Sequence, residues 1–437
     1  MTIDVDAMTA YRRDQSALTA AGYPAALVRA RNTDDVVATL KYAHAHKIPL
    51  VTRGAGTGLA GAANAIDGAI VLSMERMNRI LDVDAGRRIA RVQPGVINAD
   101  LAAAAAEHGL WYVPDPGSRE ISTIGGNIAT NAGGACCAKY GVTADHVAAL
   151  TAVLADGRII HTGAVTRKNA AGLNLTQLIV GSEGALAVIV EATLRLRRSS
   201  ADPATVVASF PSVGQAISAV LGIRDATEPC VAELMDQTTI AAVNAMTQMG
   251  LDATAGALLL VQYDDRTSEA QASACAGLCS QHGATEVYHT SDPIEGEQFM
   301  QARRVAFTAL EKQGSALLDD LAVPVPALPE MLSAIESIAA KHDLTIGTFG
   351  HAADGNLHPT IIFNAGDADE TGRARDAFDA MVNACLDLGG SITGEHGVGV
   401  LKHRYLQRMI GPIECELSAK VKAAFDPHGI LNPGRSL

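Results

Sequence analysis

Two histidines at the ends of a short loop are the residues best spaced for chemistry. His351 and His358 flank the turn signal Asp354-Gly355, which lies between the strand-like runs Leu344–Phe349 and Thr360–Phe363. Folding back at this turn brings the two imidazoles close together. Neutral imidazole is the commonest ligand of borderline divalent metals, often with a carboxylate as a third ligand. For this spacing alone, two hydrogen-bonded loop histidines are the commoner case, so both interpretations stay open.

Two glycine-rich segments could bring backbone N–H groups close to an anionic ligand. They read Arg53-Gly-Ala-Gly-Thr-Gly-Leu-Ala-Gly61 and Thr123-Ile-Gly-Gly-Asn-Ile-Ala-Thr-Asn-Ala-Gly-Gly134. Glycine permits a positive φ and has no Cβ, so successive N–H groups can converge on a pyrophosphate. The pair predicts a dinucleotide gripped from two sides.

The first segment also matches the nicotinamide-binding pattern G-x-G-x-x-G from Gly56 to Gly61, after the strand-like run Ile48–Thr52. That fold needs a helix of about ten residues before its next strand. Only Ala62–Gly68 separates the motif from the strand Ala69–Ser73. No helix fits there, so we reject a Rossmann unit.

Hydrophobic periodicity predicts the helices and strands that position the two histidines and the glycine-rich segments. The first two hundred residues alternate strands with helices such as Thr33–His46 and Ile97–His108, and Arg197–Pro203 is the best boundary candidate. Beyond it, strands such as Val206–Phe210 and Ala257–Tyr263 alternate with helices. This region fits an antiparallel sheet covered by helices, an α+β domain.

Composition is that of a large enzyme. At about 150 residues per domain, 437 residues suggest two or three domains. With 48% apolar and 19% charged residues the chain is not disordered, and a net charge of −13 argues against nucleic acid as a partner. No apolar run reaches the roughly eighteen residues of a membrane span. The acidic N-terminus has no signal-peptide pattern, and the seven cysteines lack a Cys-x-x-Cys pair. We therefore expect a cytoplasmic protein with reduced thiols.

Taken in order, the motifs resemble the vanillyl-alcohol oxidase/p-cresol methylhydroxylase (VAO/PCMH) superfamily of flavoproteins. The resemblance is closest to its FAD-dependent D-2-hydroxy-acid dehydrogenases, which act on D-lactate, glycolate or D-2-hydroxyglutarate. Besides the two glycine segments it rests on Pro114–Ser118, Gly181-Ser-Glu-Gly184, Gly350–His358, Gly394-Glu-His-Gly397 and Phe425–Gly434.

The resemblance implies an α+β protein with two domains. A PCMH-type FAD-binding domain would span 1–200 and be completed by 405–437, while 201–404 would form a substrate or cap domain that carries the metal site. FAD would be bound without a covalent link, since Arg53–Gly61 contains neither His nor Cys. The residues carried over as FAD-binding are Arg53, Gly54, Ala55, Gly56, Thr57, Gly58, Leu59, Pro116, Gly117, Ser118, Thr123, Gly125, Gly126, Asn127, Ala129, Thr130, Gly133, Glu183, Gly184 and Asn432.

The same resemblance assigns the chemistry. His351, His358 and Glu395 would bind a divalent metal, Zn or Mn, on which the substrate's hydroxyl and carboxylate oxygens lie. His396 would accept the hydroxyl proton while flavin takes the hydride.

Related 2-hydroxyglutarate dehydrogenases bind the substrate with an Arg and a Thr at the spacing of Arg304 and Thr308. These two would share one face of a predicted helix Gln301–Lys312. The relatives also carry a lysine where this chain has Ala316–Pro324, which contains none. The difference favours a small substrate such as D-lactate or glycolate, with D-2-hydroxyglutarate as the alternative.

Two competing functions belong to other classes. A non-catalytic flavin or electron-transfer subunit of a glycolate-oxidase-like complex would be expected to lose His351, His358, Glu395 and His396, and a sugar or phenol oxidase would lack the metal set. As partners we expect a small 2-hydroxy acid and an electron acceptor, which could be a quinone, a cytochrome, an electron-transfer flavoprotein or oxygen. A homodimer stays open.

Overall fold

The computed structural model describes residues 1–199 and 203–436, which form two compact units. The first unit contains 1–134, 141–199 and the chain from residue 395 onwards. The second contains 135–140 and, of the described residues, 203–394. The predicted boundary 197–203 falls partly on residues 200–202, which lie outside the described residues.

Helices and strands alternate through both units. The strands are β1 Ala26–Arg29, β2 Leu50–Arg53, β3 Ile70–Ser73, β4 Ile80–Asp84, β5 Ile89–Val92, β6 Leu110–Trp111, β7 Val147–Val153, β8 Ile159–Gly163, β9 Val188–Arg195, β10 Arg197–Arg198, β11 Ala204–Phe210, β12 Val231–Asp236, β13 Ala257–Tyr263, β14 Glu286–Thr290, β15 Ser315–Leu318, β16 Leu321–Ala322, β17 Thr345–His351 and β18 Asn356–Phe363. The α-helices are α1 Val5–Thr9, α2 Thr33–His46, α3 Asn98–Ala106, α4 Ile124–Thr130, α5 Cys137–Tyr140, α6 Thr143–His146, α7 Leu175–Ile179, α8 Val213–Ala226, α9 Gln237–Thr247, α10 Ser268–Gln281, α11 Pro293–Arg304, α12 Ala306–Glu311, α13 Leu328–His342, α14 Ala368–Asp387 and α15 Leu406–Phe425. None of the described helices combines the length and the apolar character that crossing a membrane requires.

The first unit contains a parallel and an antiparallel sheet. The parallel sheet has the order β1-β3-β2, and the antiparallel sheet has the order β4-β5-β9-β7-β8. Ile124 and Ile128 of α4 are buried with Leu150 and Leu194 of the antiparallel sheet in one hydrophobic core. This burial fixes α4, whose first turn carries two glycines of the second glycine-rich segment.

The connection from β2 to β3 differs from that of a nicotinamide-binding fold. The two strands pair in parallel, yet residues 54–69, all of them described, contain no helix. The crossover helix of this sheet is α2, between β1 and β2, which begins where the Asn32 side chain accepts the N–H of Asp35. The rejection of a Rossmann unit is thus confirmed, and the first glycine-rich loop starts directly from a buried strand.

Residues near 430 pair with this sheet. Leu50 of β2 pairs in parallel with Leu431. The Asn432 side chain accepts the N–H of Thr52 at 2.9 Å and donates to the carbonyl oxygen of Glu183 at 2.8 Å. These bonds hold the end of β2, and therefore the start of the glycine loop.

The second unit is built on one antiparallel sheet, as predicted. Its order is β14-β11-β13-β12-β17-β18-β15, with β16 also paired to β18. Helices α9 and α13 pack on β17, α14 packs on β18, and α10 packs on β11 and β13. All eight residues of β18 are buried. Polar side chains in this strand must therefore find partners inside the protein.

Two segments group differently from the predicted division. Segment 135–140 belongs to the second unit, where the Lys139 ammonium lies 2.8 Å from Asp264 Oδ1 and the Tyr140 hydroxyl donates to Asp264 Oδ2. The first unit resumes at residue 395 instead of 405, because the N–H groups of Val400 and Leu401 both donate to the carbonyl oxygen of Ala60.

Candidate active site

The two predicted metal-binding histidines lie on neighbouring strands of the second unit. β17 and β18 form the predicted hairpin, which turns at Gly355 with φ +86°. Phe349 lies opposite His358, so His351, two residues further along β17, projects from the same face of the sheet. The ring centroids are 5.3 Å apart, and one nitrogen of each ring lies within 4.8 Å of the other. Both rings are buried.

A buried carboxylate on the next strand orients His351. Glu233 of β12 lies opposite His351, and its Oε1 is 2.5 Å from His351 Nδ1. An ionised carboxylate can only accept, so the Nδ1 proton belongs to the histidine and Nε2 carries the lone pair with which a neutral imidazole ligates a metal. Burial by itself would raise the pKa of Glu233, but Arg303 and His351 outweigh it and hold the pKa below its ordinary value. Arg303 Nε lies 2.5 Å from Glu233 Oε2.

A second buried carboxylate, Asp320, faces His358. Its Oδ1 is 3.9 Å from His358 Nδ1. Its Oδ2 accepts the hydroxyl of Thr393 at 2.6 Å and the N–H of Gly394 at 3.0 Å. The peptide that leads into Glu395 is therefore anchored within the second unit.

Glu395 and His396 follow Gly394 in sequence and begin the last part of the first unit. His396 Nε2 lies 3.5 Å from Glu395 Oε1, and both side chains are largely shielded from solvent. The carboxylate and the imidazole of this motif therefore lie side by side.

Glu183, which is predicted to bind the cofactor, accepts hydrogen bonds from the backbone after His396. Its Oε1 accepts the N–H of Val398 at 2.7 Å, and its Oε2 accepts the N–H of Gly399 at 2.9 Å. Burial raises the pKa of Glu183 to about 7, against the lowering effect of these two N–H groups. Both carboxylate oxygens thus accept hydrogen bonds from the backbone, and the predicted contact of Glu183 with the cofactor stays a prediction.

Arg304 and Thr308 do not lie on one continuous helix as predicted. α11 ends at Arg304 and α12 begins at Ala306, because Val305 has a ψ of 1° and interrupts the predicted helix. Arg304 is exposed and forms a two-point ion pair with Glu297, and Thr308 is exposed too. The neighbouring Arg303 is the arginine that reaches the His351 network.

Sequence reasoning missed Glu233, Arg303 and Asp320. Glu233 is the only acid in the apolar run Cys230–Met235, and Asp319-Asp320 interrupts another between Ala316 and Val323. A lone acid in a buried strand needs a partner, and that signal could have identified both carboxylates. For Arg303 the sequence offered no comparable sign, since Arg303 and Arg304 are adjacent in one helix and the pattern does not show which of them reaches Glu233.

Three predicted cofactor-binding loops converge in the first unit. A Cβ added at Gly54 would lie 2.3 Å from Thr123 Oγ1, so the loop 53–61 touches the start of α4. A Cβ at Gly134 would lie 2.6 Å from Asp115, so the turn 114–118 touches the end of the second segment. Thr123 caps α4 by accepting the N–H of Gly126.

This convergence fits a bound dinucleotide. A Cβ added at Gly58 would approach no atom closer than 3.4 Å, and at Gly117 none lies within 4 Å. These two positions open onto space beside the backbone, while Gly54, Gly56 and Gly125 are braced from behind by protein atoms less than 3 Å from an added Cβ.

Several predicted cofactor-binding side chains form that brace. The Arg53 guanidinium is buried against Gly56, where an added Cβ would lie 2.0 Å from Nη2. Asn127 Oδ1 accepts from Asn98, whose Nδ2 also donates to the carbonyl oxygen of Pro114. Thr130 bonds within α4, the carbonyl oxygen of Ala129 accepts the N–H of Glu183, and Gly184 packs on Asn432.

Two protein-family models match the chain. The model of the FAD binding domain matches residues 24–163, and that of the C-terminal domain of FAD linked oxidases matches residues 200–436. Glycolate oxidase subunit GlcD of Bacillus subtilis is 40% identical over 416 residues, covering 94% of this chain and 88% of that protein. D-lactate dehydrogenase of Archaeoglobus fulgidus is 35% identical over 412 residues, covering 94% and 90%.

A solved structure of p-cresol methylhydroxylase with substrate bound superposes with a TM-score of 0.84 at 17% identity, covering 99% of this chain and 93% of that one. This likeness of fold confirms the predicted fold class.

We expect Gly58→Ala to weaken FAD binding without harming the fold, because the added methyl meets protein only at ordinary contact distance. A steric intrusion of about 1–3 kcal/mol corresponds to about a ten- to hundredfold rise in Kd. The ratio of flavin to protein absorbance and the circular dichroism spectrum measure the two effects. Gly54→Ala should disturb both, since its methyl meets Thr123.

Gly214→Ala is the matched control, because Gly214 in α8 has open space and ordinary backbone angles. Equal flavin retention by the Gly58 and Gly214 variants would contradict the placement of FAD at this loop.

Proposed function

The chain belongs to the FAD-linked oxidase family, and from this premise we propose that it oxidises a D-2-hydroxy acid to the 2-oxo acid. The observation that carries the proposal is the buried pair His351 and His358, with Glu233 behind one ring and Asp320 beside the other. The names of the two relatives support a small substrate such as glycolate or D-lactate. Without the lysine of 2-hydroxyglutarate dehydrogenases, the larger dicarboxylate is the second choice.

FAD, when bound, would accept the hydride from the α-carbon of the substrate. The converging loops of the first unit would hold it by backbone N–H groups and without a covalent bond. The electrons would then pass to an external acceptor, a quinone, a cytochrome, an electron-transfer flavoprotein or oxygen. The name of the Bacillus subtilis relative, a subunit, supports assembly with further chains.

We propose that His351, His358 and Glu395 hold a divalent ion, Zn or Mn. Two features support this set. The Glu233 bond places the His351 proton on Nδ1, so that Nε2 carries the lone pair that a metal needs, and the peptide before Glu395 is anchored at Asp320 next to His358. Such an ion would lower the pKa of the substrate hydroxyl and orient its oxygens.

His396 is the proposed acceptor of the hydroxyl proton. A neutral imidazole takes up a proton near neutral pH, and the Glu395 carboxylate 3.5 Å away would stabilise the charged ring that results.

Arg303 replaces Arg304 as the proposed partner of the substrate carboxylate. Its side chain is only 12% exposed, against 41% for Arg304. Arg303 Nε forms an ion pair with Glu233, and the two Nη groups have the planar fork geometry with which an arginine binds a carboxylate.

The metal assignment predicts that chelation abolishes turnover while flavin content stays unchanged. Zn²⁺ or Mn²⁺ should restore wild-type activity but not that of His358→Ala. Dye-linked turnover of D-lactate and metal analysis by mass spectrometry measure both effects. His161→Ala, at an exposed histidine on β8, should behave as wild type. Full activity of His358→Ala after exhaustive chelation would rule out the metal role.

The assignment of His396 predicts that His396→Ala slows flavin reduction by about 10²- to 10⁴-fold, the usual effect of losing a general base. Substrate Kd should change much less. The wild-type rate should rise with pH as the imidazole loses its proton, and the variant should lack this dependence. Stopped-flow reduction by D-lactate across pH 5 to 9 measures both, and a wild-type rate in the variant would refute the role.

The choice between the two arginines predicts opposite outcomes for one pair of variants. Arg303→Ala should raise substrate Kd by about ten- to a hundredfold, the loss of a charge-assisted hydrogen bond of about 1.5–3 kcal/mol. Arg304→Ala should change it less than about twofold, since an exposed pair with Glu297 contributes little. Titration of flavin absorbance with a 2-oxo acid compares them, and the reverse order would restore Arg304.

A further inference from the structure

Glu183 is a buried carboxylate whose two oxygens both bind the chain that follows His396. It is 4% exposed and lies in the turn between α7 and β9. Val398 and Gly399, the second and third residues after His396, each donate one N–H to it.

The backbone of Glu183 is itself fixed. Its φ of +50° is rare for a residue with a side chain and persists only when the surroundings enforce it. Its N–H donates to the carbonyl oxygen of Ala129 in α4 at 2.8 Å, and its own carbonyl accepts from Asn432. These two bonds fix the position of Glu183 relative to α4 and, through Asn432, relative to β2.

The backbone at Gly397 also packs closely against the Glu183 carboxylate. A Cβ added at Gly397 would lie 2.9 Å from Glu183 Oε1, and Gly397 has a φ of +85° that favours glycine. The backbone immediately after His396 thus passes against this carboxylate in a conformation that leaves little freedom.

We propose that Glu183 is a positioning residue for His396, which fixes the backbone of residues 397–399 relative to α4 and so holds the imidazole at a set place beside the cofactor loops. The inference rests on the proposed function, in which His396 accepts the substrate proton. A group that must meet a reacting proton loses about 10²-fold in rate when displaced by about 1 Å.

Glu183→Gln tests the idea with almost no change of volume. Glutamine offers one acceptor oxygen, and its amide NH₂ faces an N–H donor, so one backbone N–H loses its acceptor. Glu183→Asp, one methylene shorter, is the second variant if the first does not fold. Glu191→Gln is the matched control, since Glu191 lies on β9 and pairs with Arg91 at the surface.

The first measurement is hydrogen exchange of the peptide that spans residues 397–401 in the flavin-loaded enzyme, followed by mass spectrometry. Exchange at Val398 and Gly399 should be faster in Glu183→Gln and unchanged in Glu191→Gln. Unchanged exchange in the Glu183 variants would overturn the proposal.

The second measurement is stopped-flow flavin reduction in a double-mutant cycle. Glu183→Gln should lower the limiting rate by about ten- to a hundredfold with little change in substrate Kd and flavin absorbance. Combined with His396→Ala it should lower the rate no further, because Glu183 acts through that ring. If the rate losses of the two single variants multiply in the double variant, the positioning role is overturned. If His396→Ala alone reduces its flavin at the wild-type rate, the proposed base falls, and the exchange data still decide whether Glu183 fixes the loop.

Discussion

A carboxylate removed from water must be met by cations or N–H donors, and three such carboxylates organise this protein. Glu183, Glu233 and Asp320 are all at most 4% exposed. Each of them bonds to a part of the candidate active site. Glu183 accepts from the backbone after His396, Glu233 contacts the ring of His351, and Asp320 accepts from the peptide before Glu395. The cost of leaving any of them unpaired would be several kcal/mol, so the fold and the arrangement of these segments are enforced by the same bonds.

The same requirement explains why the second unit needs a continuous antiparallel sheet. Glu233 reaches His351 because β12 pairs with β17, and His358 reaches the same face because β18 pairs with β17. Backbone pairing sets the Cβ atoms of opposite residues on neighbouring strands about 5 Å apart, whatever rotamer each side chain adopts. A slip of one residue would send His358 to the opposite face.

Local patterns predicted the parts of the fold that depend on local rules. Capping predicts the helix Thr33–His46, turn chemistry predicts the hairpin at Asp354-Gly355, and chain length excludes a helix after Gly61. The structure contains the helix and the hairpin, and residues 54–69 contain no helix. The roles of Glu183, Arg303 and Asp320 depend on partners far away in sequence. The Glu183 carboxylate accepts an N–H from a residue 215 positions later, and such a distant partner has no local signature in the sequence. The break at Val305 is a matter of one ψ angle, which periodicity does not resolve.

The pairing of Leu50 with Leu431 has a consequence for how the chain is made. The hydrogen bond between Thr52 and Asn432 joins residues 380 positions apart in the sequence. It covers the edge of β2, the strand that leads into the first glycine-rich loop. While the protein is being synthesised, β2 therefore emerges long before its neighbour exists. During that interval a buried strand has an open edge, the kind of surface that pairs with other chains. Completing this edge therefore requires a contact between residues far apart in the chain, which slows folding relative to a domain built from local contacts.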